Sequence, residues 1–345
     1  MLIIMKTPMN KSMRTKMIIL LSVLALTLTG CNKADYEAAA KRSDSSNKKT
    51  SSQAGTGSQT GTGSQAGTSS SGTRDNTPQV LTPVASGSKI FENTLASVDY
   101  SNSDEGYIMV KYFGESSRSK AMVVTPDNTK YYYNLTPGSA YVALPLLDSG
   151  SYNIVIYESA GSTGNEFYRV LDEKFTVKLT NTFGPFLYPN QYVQFTANDN
   201  CVAKAKELAK TCDTDLQVIE AVYTFVTTNV TYDFEKADTV QSGYLPDPDS
   251  TLRTKTGICF DYAALMTAML RSQGIPTRLE IGYCGTAYHA WLSSYIEDIG
   301  WVNGAIYFDG ENWSLMDPTY ASNHSSSKVK DYVGDGSNYT LQYMY

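Results

Sequence analysis

The chain has 345 residues, with 28 basic and 34 acidic side chains that are unevenly distributed. Residues 88–345 hold 18 Lys and Arg against 30 Asp and Glu, a net charge of −12, whereas residues 1–30 hold four basic residues and no acid. This balance disfavours nucleic-acid binding, because phosphate contacts need clustered Lys and Arg. A hydrophobic content of 41% is enough for a packed core and excludes a wholly disordered chain.

Residues 1–31 have the layout of an export signal. Basic residues precede the apolar run Met17–Leu26, which is too short for a comfortable membrane span. The segment closes on Leu28-Thr-Gly-Cys31, which resembles the lipobox of bacterial lipoproteins. The resemblance implies that Cys31 is lipidated and that acyl chains hold the protein on the extracellular side of the bacterial cytoplasmic membrane. An ordinary secretory signal or an anchor helix is the alternative.

Residues 32–87 are predicted to be a disordered linker. They consist mainly of Ser, Gly, Thr and Gln, and a six-residue repeat begins at Ser52 with Ser-Gln-Ala-Gly-Thr-Gly. Such a composition cannot bury enough apolar surface to offset the entropy of ordering the chain. The segment is therefore expected to act as a flexible tether.

Residues 88–190 are predicted to form an all-β domain. Short runs rich in aromatic and β-branched residues alternate with Gly, Pro, Asn and Asp, as in an antiparallel sandwich of immunoglobulin-like type. The seven predicted strands are Tyr107–Tyr112, Ala121–Val124, Lys130–Tyr133, Tyr141–Leu144, Tyr152–Tyr157, Phe167–Leu171 and Phe175–Leu179. The domain contains no His and no Cys, so a spacer or binding module is expected.

Residues 196–345 are predicted to form an α+β domain, because helical patterns come first and strand patterns follow. Helices are predicted at Val202–Ala209, at Leu216–Val230 with Asp213 or Thr214 as the N-cap, and at Cys259–Ser272. Strands are predicted at Arg278–Cys284, His289–Leu292, Ala305–Phe308 and Trp313–Met316. The polar segment 233–257 reads as a long loop, which favours a lid or a binding function.

Three residues of this domain are candidates for chemistry. Cys259 opens a helix, and with Thr256 or Gly257 as the N-cap its sulfur would lie where the helix dipole stabilises a thiolate. His289 begins an apolar strand, and Asp317 is held extended by the following proline, where it could orient an imidazole. Each also has a purely structural reading: a small buried residue for the cysteine, a core residue for the histidine and a turn residue for the aspartate. His324, the other histidine, reads as a solvated loop residue.

Four blocks of sequence together resemble the transglutaminase-like superfamily over about residues 200–320. The blocks are Gly257-Ile-Cys-Phe-Asp-Tyr-Ala263, Leu270-Arg-Ser-Gln-Gly-Ile-Pro-Thr-Arg278, His289-Ala-Trp291 and Trp313-Ser-Leu-Met-Asp-Pro-Thr319. The resemblance implies a papain-like fold and a triad of Cys259 as nucleophile, His289 as general base and acid, and Asp317 as the residue that orients the histidine. It also implies acyl transfer through a Cys259 thioester, with hydrolysis favoured over crosslinking.

The expected substrate is a peptide, a protein or a cell-wall peptide, and the expected membrane contact is through lipid on Cys31. No nucleic acid, cofactor or metal is predicted, because one usable histidine and dispersed cysteines do not make a zinc site and the acidic residues lack calcium-loop spacing. The alternative function is a non-catalytic cell-surface binding or adhesion lipoprotein with a vestigial triad.

Several residues near the three candidates are expected to be structural. Asp261 would favour the helix dipole. Tyr262 and Arg271 would pack against and solvate the helix, Trp291 would pack in the core or shield an ion pair, and Cys284 would be a buried free thiol. The N–H of Cys259 is the expected first oxyanion donor, and Tyr232 and Asn229 are weak candidates for the second.

Cys201 and Cys212 could form a disulfide only if the chain folds back between them. A continuous helix would hold their Cα atoms about 16 Å apart, which is beyond disulfide reach. A bridge therefore requires the helix to end near Lys210, and two free cysteines are the favoured prediction.

Overall fold

The computed structural model describes residues 74–161, 166–303, 305–308, 313–316, 319 and 338–345, with the backbone alone between 303 and 316. The predicted export signal, Cys31, most of the predicted linker, Asp317 and His324 lie outside the described residues. The described chain divides into two compact units: residues 83–185 form the first, and residues 74–82 join 186–345 in the second. Among the described residues no helix is long and apolar enough to cross a membrane.

The first unit is all β and consists of two four-stranded antiparallel sheets. Their strand orders are β1-β2-β3-β6 and β5-β4-β7-β8. The strands are β1 (Ile90–Glu92), β2 (Ala96–Asp99), β3 (Tyr107–Tyr112), β4 (Ser119–Val124), β5 (Lys130–Leu135), β6 (Val142–Pro145), β7 (Gly150–Ser159) and β8 (Phe167–Val177). The two sheets touch where Tyr112 Oη donates to Glu158 Oε2 at 2.6 Å and where the rings of Phe91 and Phe175 lie 6.4 Å apart.

The β-rich character predicted for this unit is confirmed, with two differences in detail. The predicted strands Phe167–Leu171 and Phe175–Leu179 are one strand, β8, because the polar residues between them stay paired with β7, as Asp172 does with Val155. The short strands β1 and β2 were not predicted. The immunoglobulin-like topology stays a prediction.

The second unit contains five helices among its described residues. They are α1 (Asn200–Ala209), α2 (Asp215–Asn229), α3 (Phe234–Thr239), α4 (Pro248–Thr254) and α5 (Cys259–Arg271). As predicted, Thr214 caps α2: its side chain accepts a hydrogen bond from Gln217 N at 3.2 Å. All thirteen residues of α5 are buried, and the helix packs against α1, α2, α4 and two strands of the main sheet.

The main sheet of the second unit follows the helices along the chain, which confirms the α+β fold. They are β9 (Thr231–Tyr232), β10 (Thr256–Gly257), β11 (Thr277–Cys284), β12 (Ala287–Ile296), β13 (Gly300–Asn303), β14 (Ala305–Phe308), β15 (Trp313–Met316) and β16 (Tyr339–Met344). The main sheet has the order β13-β12-β11-β16, and β9-β10 and β14-β15 are separate pairs. Strands β11, β12, β14 and β15 were predicted, β14 and β15 with the same bounds.

The segment 233–257 is not a long loop, and that prediction is wrong. It contains α3 and α4, which are capped by local hydrogen bonds, and β10, which pairs with β9. Asp233 Oδ1 accepts from Lys236 N at 2.9 Å to cap α3, and Asp247 Oδ1 accepts from Ser250 N at 3.0 Å to cap α4. Pro248 occupies the first turn of α4, where its missing N–H costs nothing.

Residues 74–82, from the end of the predicted linker, lie against the second unit. Arg74 Nε is 2.6 Å from Asp215 Oδ1, and Asn76 Nδ2 donates to Cys212 O at 2.9 Å. Gln79 N donates to Ser272 O at 2.8 Å. This stretch is therefore hydrogen-bonded near the start of α2 and near the end of α5.

The four described cysteines of the second unit form no disulfide, which for Cys201 and Cys212 agrees with the favoured prediction. Helix α1 ends at Ala209, yet Cys201 and Cys212 remain unbridged and buried. Burial, together with the charge of Asp249, raises the pKa of Cys201. Cys284 is also buried and outside any disulfide, as predicted.

Candidate active site

Cys259 is the first residue of α5, and its side chain is only 5% exposed. The N-cap is Ile258 and not Thr256 or Gly257, because those two residues pair with β9. The N–H groups of Asp261 and Tyr262 donate to Ile258 O at 2.9 and 3.1 Å. The predicted position of the cysteine in the first turn is therefore correct, and its sulfur lies at the positive end of the helix dipole.

His289 is the third residue of β12, since the strand begins two residues earlier than predicted. It pairs with Gly282 of β11 and is 4% exposed. Its ring stacks on that of Trp291, with 6.2 Å between the centroids and 23° between the planes. The centre of the Tyr339 ring lies 6.3 Å from that of His289. The imidazole is thus in contact with two aromatic side chains.

The structure places the helix of Cys259 against the strand of His289. Helix α5 packs directly on β11 and β12. Burial raises the pKa of Tyr288, and the nearby Tyr343, Tyr283 and Cys259 raise it further. Cys259 thus contributes to the electrostatic surroundings of Tyr288, the residue next to His289.

Asp317, the third predicted member of the triad, lies outside the described residues. Strand β15 ends at Met316, one residue before it, and pairs with β14. Strand β14 in turn contacts β12, which carries His289. The strand that precedes Asp317 is therefore connected to the strand of the histidine through β14.

Glu280, which was not predicted as a site residue, lies next to Trp291, whose indole stacks on His289. It pairs with Trp291 across β11 and β12 and is 5% exposed. Burial raises the pKa of Glu280, while hydrogen bonds from Ser293 and Trp291 and the charge of Arg278 act in the opposite direction. The indole that stacks on His289 is therefore held by a buried carboxyl group.

Asp261 has the structural role that was predicted for it. Its carboxylate accepts the N–H of Ile258 at 2.8 Å and so caps α5 from inside the helix. Two further donors were not predicted: Tyr244 Oη lies 2.5 Å from Oδ1, and Lys236 Nζ lies 2.6 Å from Oδ2. Both come from the segment that had been read as a loop.

Arg271 is fully buried, so the prediction that it solvates the helix is wrong. Its guanidinium donates to Thr277 O at 2.8 Å, to Tyr188 O at 2.7 Å and to Tyr345 O at 2.6 Å. Tyr262 is also buried, with its hydroxyl donating to Val230 O at 2.6 Å. The helix is enclosed on every side, which an apolar stripe in the sequence does not reveal.

The two weak candidates for a second oxyanion donor differ in their contacts. Asn229 Nδ2 donates to Phe225 O at 2.8 Å within its own helix. Tyr232 is buried, and its ring lies 4.9 Å from that of Phe234. No cluster of metal-ligating side chains occurs in the part of the chain that the structure describes.

Residues 202–318, about a third of the chain, match the transglutaminase-like superfamily. They form a transglutaminase-like domain. The match begins in α1 and ends at Pro318, so it spans Cys259, His289 and Asp317.

Individual relatives of this transglutaminase-like domain are distant. The UPF0252 protein MJ1282 of Methanocaldococcus jannaschii is 31% identical over 96 residues, which are 24% of this chain and 27% of that protein. The uncharacterized protein YebA of Bacillus subtilis is 24% identical over 153 residues, 38% of this chain and 21% of that one. The chain thus spans about a quarter of the length of these curated relatives.

Among solved structures, the chain is similar to a provisionally named cysteine protease from Cytophaga hutchinsonii. The two are 19% identical, with 59% of this chain and 73% of that chain covered and a TM-score of 0.31.

Proposed function

We propose that the transglutaminase-like domain is a cysteine hydrolase or acyltransferase that acts on peptide or amide bonds. The observation that carries the proposal is the position of Cys259 at the start of a wholly buried helix that packs on the strand of His289. A sulfur at a helix N-terminus is stabilised as the thiolate, which is the nucleophilic form. Asp317 is the proposed orienting residue for the imidazole.

The proposed reaction has two steps. The Cys259 thiolate attacks the carbonyl carbon, His289 gives its proton to the departing amine, and the C–N bond breaks to leave a thioester. The N–H of Cys259 donates to the oxyanion. Water then attacks the thioester, passes a proton to His289 and releases the acid with the thiolate restored. An amine in place of water gives a new amide, and we propose hydrolysis as the main outcome.

The thiol chemistry can be measured without knowing the substrate. Iodoacetamide alkylation of the full chain, read for each cysteine by peptide mass spectrometry across pH, should show Cys259 reacting well below pH 8.5, the usual pKa of a free thiol. In His289→Ala, Cys259 should no longer be alkylated at this lower pH, because the imidazolium that stabilises its thiolate is absent.

Cys284 is the internal control for this measurement. It is 6% exposed against 5% for Cys259, so the two thiols are equally buried but only one is at a helix start. If Cys259 reacts no faster than Cys284 at neutral pH, or reacts equally with and without His289, the proposed nucleophile is wrong.

We also propose that Cys31 carries lipid and that the domain works on the outer side of the bacterial cytoplasmic membrane. The proposal is supported by the basic residues, apolar run and Leu-Thr-Gly-Cys ending that precede the polar linker. When the chain is produced in a bacterium, it should sediment with the membrane fraction, and Cys31→Ala should move it out of that fraction. An unchanged distribution for Cys31→Ala would contradict lipid attachment at this residue.

A further inference from the structure

A cation, a phenol and a backbone N–H converge on the carboxylate of Asp261. Lys236 Nζ is 2.6 Å from Oδ2, Tyr244 Oη is 2.5 Å from Oδ1, and Ile258 N is 2.8 Å from Oδ2. The Asp261 side chain has no exposure to solvent, whereas that of Lys236 is 30% exposed. Lys236 Nζ also lies 2.7 Å from Tyr244 Oη and 4.3 Å from the centre of that ring. The carboxylate is therefore enclosed by donors.

This cluster lies in the same helical turn as the proposed nucleophile. Asp261 follows Cys259 by two residues in α5. A carboxylate there satisfies the helix N-terminus but disfavours a second negative charge nearby, such as a thiolate. The negative charge of Asp261 therefore stabilises the helix start but destabilises a Cys259 thiolate. A cation bound to the carboxylate offsets the second effect.

The backbone around the cluster is shaped to hold the carboxylate. A Cβ on Gly257 would lie 2.6 Å from Asp261 Cβ and 3.0 Å from Oδ2, so only glycine leaves room. Lys236 is held by the same framework: Asp233 caps its helix and also donates its N–H to Gly257 O at 2.9 Å. The lysine is thus fixed relative to the residues that directly precede Cys259.

Lys236 supplies the positive charge that faces the carboxylate of Asp261. Burial and the charge of Asp261 raise the pKa of Tyr244, so its hydroxyl stays protonated and donates; Asp247 of the α4 cap acts on Tyr244 in the same direction. Strand β12, which carries Tyr288 and His289, also packs against α5. Of the described groups that contact Asp261, only Lys236 carries a positive charge.

We propose that Lys236 is a positioning residue for the nucleophile: its ammonium cancels the charge of Asp261, so the helix keeps a carboxylate cap that does not oppose the Cys259 thiolate. The inference rests on the proposed function, since it concerns how the same cysteine is activated. It acts through Asp261 and requires no contact of the lysine with substrate.

The test is the pH profile of Cys259 alkylation by iodoacetamide in the full chain, compared among charge variants. Lys236→Met should raise the apparent pKa of Cys259 by about one unit, because Asp261 is left as an unpaired negative charge. Lys236→Arg should restore the wild-type profile. The double variant Lys236→Met with Asp261→Asn should also return close to wild type, since neither charge remains.

Two control variants distinguish the effect of the Lys236 charge on the pKa of Cys259 from an effect on folding. Lys204→Met breaks an exposed ion pair with Glu207, 2.5 Å long, on α1 and should leave the profile unchanged. Lys236→Gln keeps a hydrogen-bond donor without the charge; it should show the same rise as Lys236→Met and replaces that variant if Lys236→Met does not fold.

The outcomes distinguish this inference from the proposed function. If wild-type Cys259 alkylates like an ordinary thiol, the proposed function fails. If wild-type Cys259 is activated but neither Lys236→Gln nor Lys236→Met shifts its profile, the inference about Lys236 is overturned and the proposed function stands. A shift that persists in the double variant would also overturn it, because the effect would then not depend on the Asp261 charge.

Discussion

Arg271→Met is expected to lower the free energy of unfolding of the second unit by about 3 kcal/mol or more. The substitution leaves three buried main-chain oxygens, those of Thr277, Tyr188 and Tyr345, without the donors they now have. Each buried acceptor left unpaired costs about 1–3 kcal/mol. Burial lowers the pKa of Arg271, so its charge is costly to hold inside and its removal offsets part of the loss.

The loss can be measured by tryptophan fluorescence during urea unfolding. All three tryptophans, Trp291, Trp301 and Trp313, belong to the second unit, so the signal does not report on the first. Arg253→Met is the matched control, since Arg253 is exposed and, among the described residues, its guanidinium donates only to Ser250 Oγ, at 3.0 Å; it should cost under about 0.5 kcal/mol. A loss below about 1 kcal/mol for Arg271→Met would show that the three oxygens find other donors.

Helix α5 illustrates how much of this fold the sequence predicts. Its start at Cys259 was predicted correctly and its end to within one residue, because an apolar pattern of helical period runs from the cysteine to the stop signal at Gly274. The environment of Arg271 could not be predicted. The oxygens that bind it come from residues 188, 277 and 345, and a helical pattern carries no information about what remote segments bring to a position.

The segment 233–257 shows a different kind of error. Its polar composition suggested a loop, yet Asp247 followed by Pro248 is the pattern of a helix N-cap and first turn. That signal was present in the sequence. The ion pair of Lys236 with Asp261, in contrast, joins residues 25 positions apart through a fold that no local pattern specifies.

For the candidate site, too, the sequence predicts the local structure but not the contacts between distant segments. The positions of Cys259 at a helix start and His289 on a strand follow from local patterns and from the resemblance of the surrounding blocks. The packing of Trp291 on His289 follows in part from their spacing, since residues two apart in a strand share a face. The burial of Glu280 beside that indole depends on the pairing of β11 with β12, which the sequence did not reveal.

Cys259→Ala and His289→Ala are each expected to slow turnover of p-nitrophenyl acetate by at least about a hundredfold. An activated ester is suited to this test because it needs little substrate recognition and its product is coloured. Without Cys259 there is no nucleophile. Without His289 the thiolate loses the imidazolium that stabilises it, and no base accepts the proton of the water that attacks the thioester. Cys284→Ala, which removes an equally buried thiol at the end of β11, should leave the rate unchanged.

The double variant Cys259→Ala with His289→Ala decides whether the two residues act as a unit. Residues that share one mechanism are strongly non-additive, so the double variant should be no slower than the slower single variant. If the two losses multiply, the residues contribute independently and His289 has a separate role, such as packing against Trp291. The matching stability measurement separates these readings, since a packing role would lower the unfolding midpoint of His289→Ala, whereas a chemical role would change the rate with the midpoint preserved.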